Sequence, residues 1–187
     1  MPEKYIVIIL YLCYNLNMYA NKYKKGDSKM KIIVVSDSHG RMQPLERIIR
    51  EMYADLYIHL GDGERELNEI CVANPDKQIY HVRGNCDLAS TSPQELLISP
   101  DDKNVILAVH GHNHGVKHSL EPLKQQARQQ GANILLFGHT HARYSEYDNG
   151  LYILNPGSVS KPRDGKRQSF GVIDLLPQGV ITNIVDI

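Results

Sequence analysis

The sequence predicts an α/β domain in which mixed β-sheets are covered by helices. Early in the chain, from residue 30, apolar runs of strand length alternate with amphipathic segments of helical spacing. Later in the chain, apolar runs are separated by short turn sequences, the pattern of antiparallel hairpins. The 187 residues are 42% hydrophobic and 22% charged, which is enough length and apolar content to bury one core.

The first half of the domain contains three predicted strands and two predicted helices. The run at 31–36 (KIIVVS) is typical of a strand buried on both faces, because successive residues are apolar. Apolar residues then recur at helical spacing from 45 to 52, with Pro44 suited to a first helical turn. The other elements of this half are a strand at 56–60, a helix at 64–72 and a strand at 78–82.

The second half contains hairpins around one helix and one buried strand. Asp148-Asn149-Gly150 is a strong hairpin turn, and Gly131 is suited to ending the helix before it. The predicted elements are a hairpin of 96–99 with 105–109, a helix at 120–130, a strand at 133–137, a hairpin of 144–147 with 151–154, and a hairpin of 170–175 with 180–185.

Residues 1–29 differ from the rest of the chain. The apolar run at 5–14 (YIVIILYLCY) is too short to span a bilayer as a helix. Lys4 precedes it as in an export signal, yet no clear small-residue cleavage site follows. Because Met30 offers a second start directly before the first strand, we expect 1–29 to be an over-called start or a disordered extension. A weak membrane or export signal is the alternative, and 30–187 is the predicted domain.

Charge and cysteine content narrow the functional classes. Lys plus Arg and Asp plus Glu both number 21, so no basic surplus indicates nucleic acid, and the basic run at 161–167 is typical of a solvated loop. The three cysteines match neither a disulfide framework nor a zinc ribbon. We therefore expect free thiols, a cytoplasmic location and no nucleic-acid or membrane partner. Self-association as a homo-oligomer stays open.

Residues with metal-binding side chains follow five of the predicted strands. In chain order they are Asp37 and His39, Asp62, Asn85, His110, and His139 with His141. Four of the five segments carry an adjacent glycine, which lets backbone pass close to a bound group. Because ligands of open α/β sheets collect beyond the carboxyl ends of the strands, we expect these segments to converge.

This mixture of side chains predicts a divalent metal centre. Carboxylate and amide oxygens together with imidazole nitrogens suit Mn²⁺, Fe²⁺ or Zn²⁺. Seven ligands exceed what one ion needs, and they fit two ions about 3.5–4 Å apart that share one carboxylate. If the segments are extended, alternate residues face the same way, which would aim Asp37 with His39, and His139 with His141, at the ions.

Five motifs in this order, DSHG, GDG, GNCD, HGH and GHTH, resemble the calcineurin-like metallophosphoesterase superfamily, and most of all its YfcE-like phosphodiesterase branch. The resemblance spans 30–187 and includes NPGS at 155–158. It implies a four-layer α/β/β/α sandwich with two mixed β-sheets. It also implies a metal on Asp37, His39 and His141, a second metal on Asn85, His110 and His139, and Asp62 as the bridge between them.

The reaction that the resemblance implies is hydrolysis of a small phosphate ester, most of all a phosphodiester. A metal-bound hydroxide would attack phosphorus in line while both ions stabilise charge on the phosphoryl oxygens, and Asp62 and Asn85 would be catalytic. Mn²⁺ is the first expectation, with Ni²⁺, Zn²⁺ or Fe²⁺ as alternatives. The alternative functions are a phosphomonoesterase and a non-catalytic scaffold like the related retromer subunit. We favour catalysis because all seven positions hold competent ligands.

Cys86 departs from many relatives, which carry a histidine at that position to assist the leaving group. A thiol is a poor substitute for an imidazolium near neutral pH. We expect slow turnover unless the leaving group is good or His112 supplies the proton as a catalytic residue. The repeated pattern HGHNH at 110–114 also keeps His112 as a second candidate for the ligand position assigned to His110.

Four further residues have two interpretations. Ser158 and Arg163 would either contact phosphate or support the NPGS loop, and the sequence does not choose. For His59 and His81, which lie inside predicted strands, we expect packed core or rim positions.

Overall fold

The computed structural model describes residues 29–187, so the hypotheses about the residues before that range lie outside it. Within the range, no helix is both long enough and apolar enough to cross a bilayer. The three helices are α1 (Met42–Glu51), α2 (Glu64–Ala73) and α3 (Glu121–Gln129).

All ten predicted strands are present, with ends shifted by a few residues. They are β1 (Met30–Val35), β2 (Leu56–His59), β3 (Ile79–His81), β4 (Glu95–Ile98), β5 (Ile106–Val109), β6 (Ile134–Phe137), β7 (Arg143–Asp148), β8 (Leu151–Pro156), β9 (Ser169–Leu176) and β10 (Gly179–Asp186). A short 3₁₀ turn at His112–His114, which the sequence analysis did not predict, follows β5.

The strands form two five-stranded mixed sheets, as expected. The first sheet has the order β10-β9-β1-β2-β3, and the second has the order β4-β5-β6-β8-β7. In each sheet the three strands β1-β2-β3 or β5-β6-β8 run parallel, and antiparallel strands lie outside them. The three predicted hairpins, β4-β5, β7-β8 and β9-β10, are all antiparallel pairs.

The core confirms the four-layer α/β/β/α sandwich. Ile32 and Val34 of β1 lie in a central cluster with Ile106 and Ile134 of the second sheet. The intervening residues of β1 face the opposite way, into a cluster with α1 and α2, and a third cluster joins the second sheet to α3. Because successive strand residues point to opposite faces, the apolar run of β1 from Ile32 to Val35 is buried on both sides.

The parallel strands place their carboxyl ends at a shared edge of the sandwich. Backbone hydrogen bonds join the loops of the two sheets there: the Val159 N–H, after β8, donates to the Ser36 carbonyl, after β1, at 3.2 Å. Within the second sheet, the Gly138 N–H donates to the His110 carbonyl at 3.0 Å. The loops that carry the candidate ligands are therefore tied directly to one another.

Candidate dinuclear metal centre

Five of the seven predicted ligands have left-handed backbone conformations. The φ angles are 58° for Asp37, 45° for His39, 58° for Asp62, 67° for His139 and 57° for His141. Left-handed conformations are uncommon for residues other than glycine and concentrate at functional sites. The assumption that the DSHG and GHTH segments are extended is therefore wrong. Tight turns, held by the loop hydrogen bonds, aim these side chains instead of strand alternation.

The first group of ligands is Asp37, His39 and His141, whose ligand atoms lie within 4.8 Å of one another. His141 Nε2 is 3.2 Å from Asp37 Oδ1, and His39 Nε2 is 3.7 Å from the same oxygen. Asp37 is fully buried, and its Oδ1 has no hydrogen-bond partner. A buried carboxylate oxygen without a donor is costly, and a cation between these three side chains would compensate for it.

Asp62 lies between this group and a second one. Its Oδ2 is 3.7 Å from His39 Nε2 and 3.5 Å from His110 Nε2, while its Oδ1 accepts a hydrogen bond from the Cys86 N–H at 2.7 Å. One carboxylate oxygen therefore faces a histidine of each group, which is the geometry of a shared ligand. Asp37, Asp62 and His110 also form a set whose ligand atoms lie within 4.8 Å.

Asn85 and His139 also lie near His110, but this second group is less compact than the first. Asn85 Oδ1 is 3.3 Å from His110 Nε2, and the ring centroid of His139 is 5.0 Å from that of His110. His139 belongs to none of the compact ligand sets found among residues 29–187. Its backbone N–H donates to Asp37 Oδ2 at 3.1 Å, so its loop is tied to the first group.

Two of the histidines are oriented by backbone carbonyls. The Nδ1–H of His110 donates to the Leu60 carbonyl at 2.6 Å, and the Nδ1–H of His141 donates to the Lys161 carbonyl at 2.7 Å. In each ring this hydrogen bond selects the tautomer whose Nε2 carries a lone pair, and that atom points to the candidate metal position. Such outer hydrogen bonds are typical of metal-binding histidines.

The protonation states suit metal binding. Burial opposes ionisation of Asp37 and Asp62, but the neighbouring imidazoles of His141 and His110 outweigh it, and both carboxyl groups have a lowered pKa. Burial lowers the pKa of His39, and it lowers that of His139 to about 4. At neutral pH the carboxylates are therefore charged and these two imidazoles are neutral, the forms that coordinate metals.

Five of the seven candidate ligands line a cleft of about 100 Å³, and Asp37 and His110 do not. Its lining residues are His39, Asp62, Asn85, Cys86, Lys117, His139, His141 and Arg163. Cys86 is exposed, and burial together with a hydrogen bond to Asp62 raises the pKa of its thiol to about 11. The thiol is therefore protonated near neutral pH.

His112 lies beside the cleft and is absent from the residues that line it. Its ring centroid is 5.3 Å from that of His110 and 6.2 Å from that of His139, and burial lowers its pKa. His110 comes directly off β5 and reaches both Asp62 and Asn85, so the geometry favours His110 over His112 as the ligand. The catalytic role of His112 stays a prediction.

Supporting residues that the sequence analysis did not single out lie beneath the centre. Asp87 accepts backbone N–H hydrogen bonds from Asp62 and Gly84 at 2.8 Å, and from Gly63 and Glu64 at 3.0 Å. A carboxylate that accepts four N–H groups joins the GDG and GNCD loops. The position of Asp87 in the GNCD motif could have indicated a role at the site, but only the fold shows which backbone N–H groups it accepts.

A second support involves Ser38 and His59. The Ser38 hydroxyl donates to Glu66 Oε1 at 2.6 Å and lies 3.3 Å from His59 Nε2, and all three side chains are buried. His59 is thus a core residue, as expected, and it also accepts the Gly61 N–H at 3.1 Å. His81 is a half-buried strand residue 2.8 Å from the Ser92 hydroxyl.

The structure separates the two residues of the NPGS region that had open roles. The buried Ser158 hydroxyl donates to the Asp37 carbonyl at 2.8 Å, so Ser158 supports the DSHG loop. Arg163 instead is exposed and lines the cleft. The residues present fit two adjacent divalent ions that share the Asp62 carboxylate.

Comparisons with known proteins agree with this geometry. Residues 30–177 match the model of the calcineurin-like phosphoesterase superfamily domain. The chain is 37% identical to the probable metallophosphoesterase YsnB of Bacillus subtilis, over 78% of this chain and 85% of YsnB. It is 30% identical to the phosphodiesterase YfcE of Escherichia coli, over 78% of this chain and 88% of YfcE.

A solved structure that is not named as a phosphoesterase shares the fold. The structure of Vacuolar Protein Sorting 29 from Cryptosporidium parvum superposes with a TM-score of 0.70 at 20% identity, covering 85% of this chain and 92% of that one. A sequence identity of 20% shows a shared fold and does not show a shared activity.

Proposed function

Because the chain belongs to the calcineurin-like phosphoesterase superfamily, whose members are metal-dependent phosphoester hydrolases, we propose that it is a dinuclear phosphodiesterase. The observation that carries this proposal is the position of Asp62 Oδ2, 3.7 Å from His39 Nε2 and 3.5 Å from His110 Nε2. One oxygen that faces both ligand groups is the feature that two-metal hydrolysis requires.

The residues divide between the two proposed metal positions as the motifs implied. Asp37, His39 and His141 would hold the first ion, Asn85, His110 and His139 the second, with Asp62 shared. When bound, the ions supply an activated water as nucleophile and stabilise charge on the phosphoryl oxygens. No side-chain nucleophile is then needed, which agrees with the buried, hydrogen-bonded state of Ser38.

The leaving group meets a weak proton donor. The Cys86 thiol, with a pKa of about 11, protonates an oxygen poorly, although its backbone N–H orients Asp62. The proposed enzyme is therefore best suited to esters whose leaving group departs without a proton. His112 is the proposed donor for other esters, and its lowered pKa limits it to a small effect near neutral pH.

The proposal includes a preference for diesters, Mn²⁺ as the metal and a cytoplasmic location. The name of YfcE, a phosphodiesterase, supports a diester over a monoester. Mn²⁺ suits the mixed oxygen and nitrogen ligands. Cys71 and Cys86 are both free thiols, which supports a cytoplasmic protein. We keep self-association as a proposal, without a partner other than a small phosphate ester.

The test is hydrolysis by the full-length chain after metal removal. We expect bis(p-nitrophenyl) phosphate to be hydrolysed on addition of Mn²⁺, faster than p-nitrophenyl phosphate. Asp62→Asn should abolish this activity, while Asp102→Asn, which changes an exposed carboxylate in the β4–β5 loop, should retain it. Hydrolysis of the monoester alone would replace the diesterase with a monoesterase.

A protein-binding scaffold is the alternative from another functional class. It would be favoured if the folded protein binds Mn²⁺, Ni²⁺, Zn²⁺ or Fe²⁺ and yet hydrolyses neither ester. The structural likeness to Vacuolar Protein Sorting 29 fits this alternative but does not outweigh the similarity to YsnB and YfcE, which are closer in sequence.

A further inference from the structure

Two basic side chains stand at the mouth of the metal cleft without an acidic partner. Lys117 follows the 3₁₀ turn after β5, and Arg163 lies in the loop between β8 and β9. Both are exposed and both line the cleft. Within residues 29–187, neither side chain makes an ion pair or a hydrogen bond. They are therefore available to a ligand.

The two cations of α3 are paired with acids, in contrast to Lys117 and Arg163. Lys124 Nζ lies 2.8 Å from Glu146 Oε2, and Arg128 Nη2 lies 2.8 Å from Asp148 Oδ2. Even Asp164, the residue after Arg163, is used elsewhere: its Oδ2 accepts the Arg143 N–H at 3.1 Å. The acid closest to Arg163 in the sequence is thus committed to another residue.

The two cations are associated with different ligand groups. The Arg163 N–H donates to the His141 carbonyl at 2.9 Å, which holds its backbone against the loop of the first ligand group. Lys117 lines the cleft with His139 of the second group, and its charge acts on that ring. A ligand over the metals therefore meets positive charge beside each ligand group.

The loaded centre together with the two cations carries more positive charge than a simple diester neutralises. Two divalent ions carry four positive charges, and Asp37, Asp62 and a hydroxide nucleophile supply three negative ones. Lys117 and Arg163 add two more positive charges, whereas a phosphodiester carries only one negative charge. A cleft of about 100 Å³ that holds the metals and the reacting phosphoryl group leaves the rest of the substrate at the rim, beside these cations.

We propose that Lys117 and Arg163 form a subsite for a second anionic group, so that the substrate is a phosphodiester that carries a further phosphate or carboxylate. The inference rests on the proposed function and adds the substrate class. Charge-assisted hydrogen bonds to such a group are favourable because both cations lack a partner in the protein. A neutral substituent would leave them unpaired beside the metals.

The test compares two esters that differ by one phosphate. These are the p-nitrophenyl ester of thymidine 5′-phosphate and the same ester with an added 3′-phosphate, both assayed with the Mn²⁺-loaded full chain. We expect kcat/KM to be about tenfold or more higher for the bisphosphate compound. Lys117→Gln with Arg163→Gln should remove this preference, so that kcat/KM for the two esters becomes equal within about threefold. Lys166→Gln, an exposed cation of the same loop outside the cleft, should keep the preference.

Binding gives a readout that does not depend on turnover. By calorimetry, the loaded protein should bind thymidine 3′,5′-bisphosphate more tightly than thymidine 5′-phosphate, and the double variant should bind the two equally. Equal kcat/KM and equal binding in the native protein would overturn the subsite while leaving the diesterase intact. A binding preference that the double variant loses, without hydrolysis of either ester, would overturn the proposed catalysis and support the subsite.

Discussion

The two proposed metal positions are built differently. The first is compact: Asp37, His39 and His141 bring their ligand atoms within 4.8 Å of one another, and Asp37 and His141 are buried. The second is looser, because Asn85 is exposed and the ring of His139 is 5.0 Å from that of His110, between centroids. Preorganised ligands lose less freedom on binding, so the first position should bind its ion more tightly.

The difference arises from the loops. Around the first position, the Ser158 hydroxyl and the Ser160 hydroxyl both donate to the Asp37 carbonyl at 2.8 Å, and left-handed turns fix three ligands. The loop that carries Asn85 is attached through Asp87 and through the Cys86 N–H, which donates to Asp62 Oδ1 at 2.7 Å. Because the loops of the first position are held more firmly than those of the second, we expect the two ions to bind one after the other, the first position first.

Exchange of one ligand at each position gives the largest expected contrast. Asp37→Asn should reduce Mn²⁺-dependent turnover by about 1,000-fold and lower the bound metal to less than one ion per chain, because it weakens the tighter position. Asn85→Ala should also reduce turnover but retain one tightly bound ion. Metal content after dialysis and diester kinetics measure both effects. Equal metal loss in the two variants would contradict the asymmetry.

Loosening the loop of the second position should have a smaller effect. Asp87→Asn removes the charge that gathers four N–H groups, and we expect the affinity for the second ion to fall by about 10- to 100-fold. Asp101→Asn is the matched control, since Asp101 Oδ1 also accepts two N–H groups, from Lys103 and Asn104, far from the centre. Calorimetric titration with Mn²⁺ separates the two ions. A comparable loss of affinity for the second ion in Asp101→Asn would mean that the effect arises from reduced stability of the fold.

Acidification should distinguish the positions through proton competition. Burial opposes protonation of His110, but its hydrogen bond to Asp62 and the Asp37 charge outweigh it and raise its pKa, whereas burial lowers the pKa of His39. As pH falls, His110 takes up a proton before His39 does, so the second ion should leave first. Metal affinity measured at several pH values tests this order. Release of both ions at one pH would refute it.

The smallest expected effect concerns His112. Because its pKa is lowered and it lies outside the residues that line the cleft, His112→Asn should change hydrolysis of p-nitrophenyl diesters by less than about threefold. For a diester with a poor leaving group, such as a methyl ester, we expect about a tenfold loss of kcat. A uniform loss for both esters, together with a lost ion, would instead make His112 a ligand.

Much of the fold could be predicted from the sequence because it depends on local patterns. The β-branched run that became β1 is apolar on both faces, and the Asp148-Asn149-Gly150 turn forms the β7–β8 hairpin as expected. The motif residues at the strand ends also come together at one edge of the sandwich. What failed was the assumption of extended segments, since left-handed turns depend on hydrogen bonds from loops far away in the chain.

The sequence by itself determined the α/β class, the order of the strands along the chain and the set of residues able to bind divalent metals. These follow from hydrophobic periodicity and side-chain chemistry, which are readable along the chain. Only the tertiary structure decided which Asp62 oxygen faces both groups, why one ligand group is more compact than the other, and which cations lack an acidic partner. Those properties depend on distances between loops about 25 to 120 residues apart, and packing alone sets such distances.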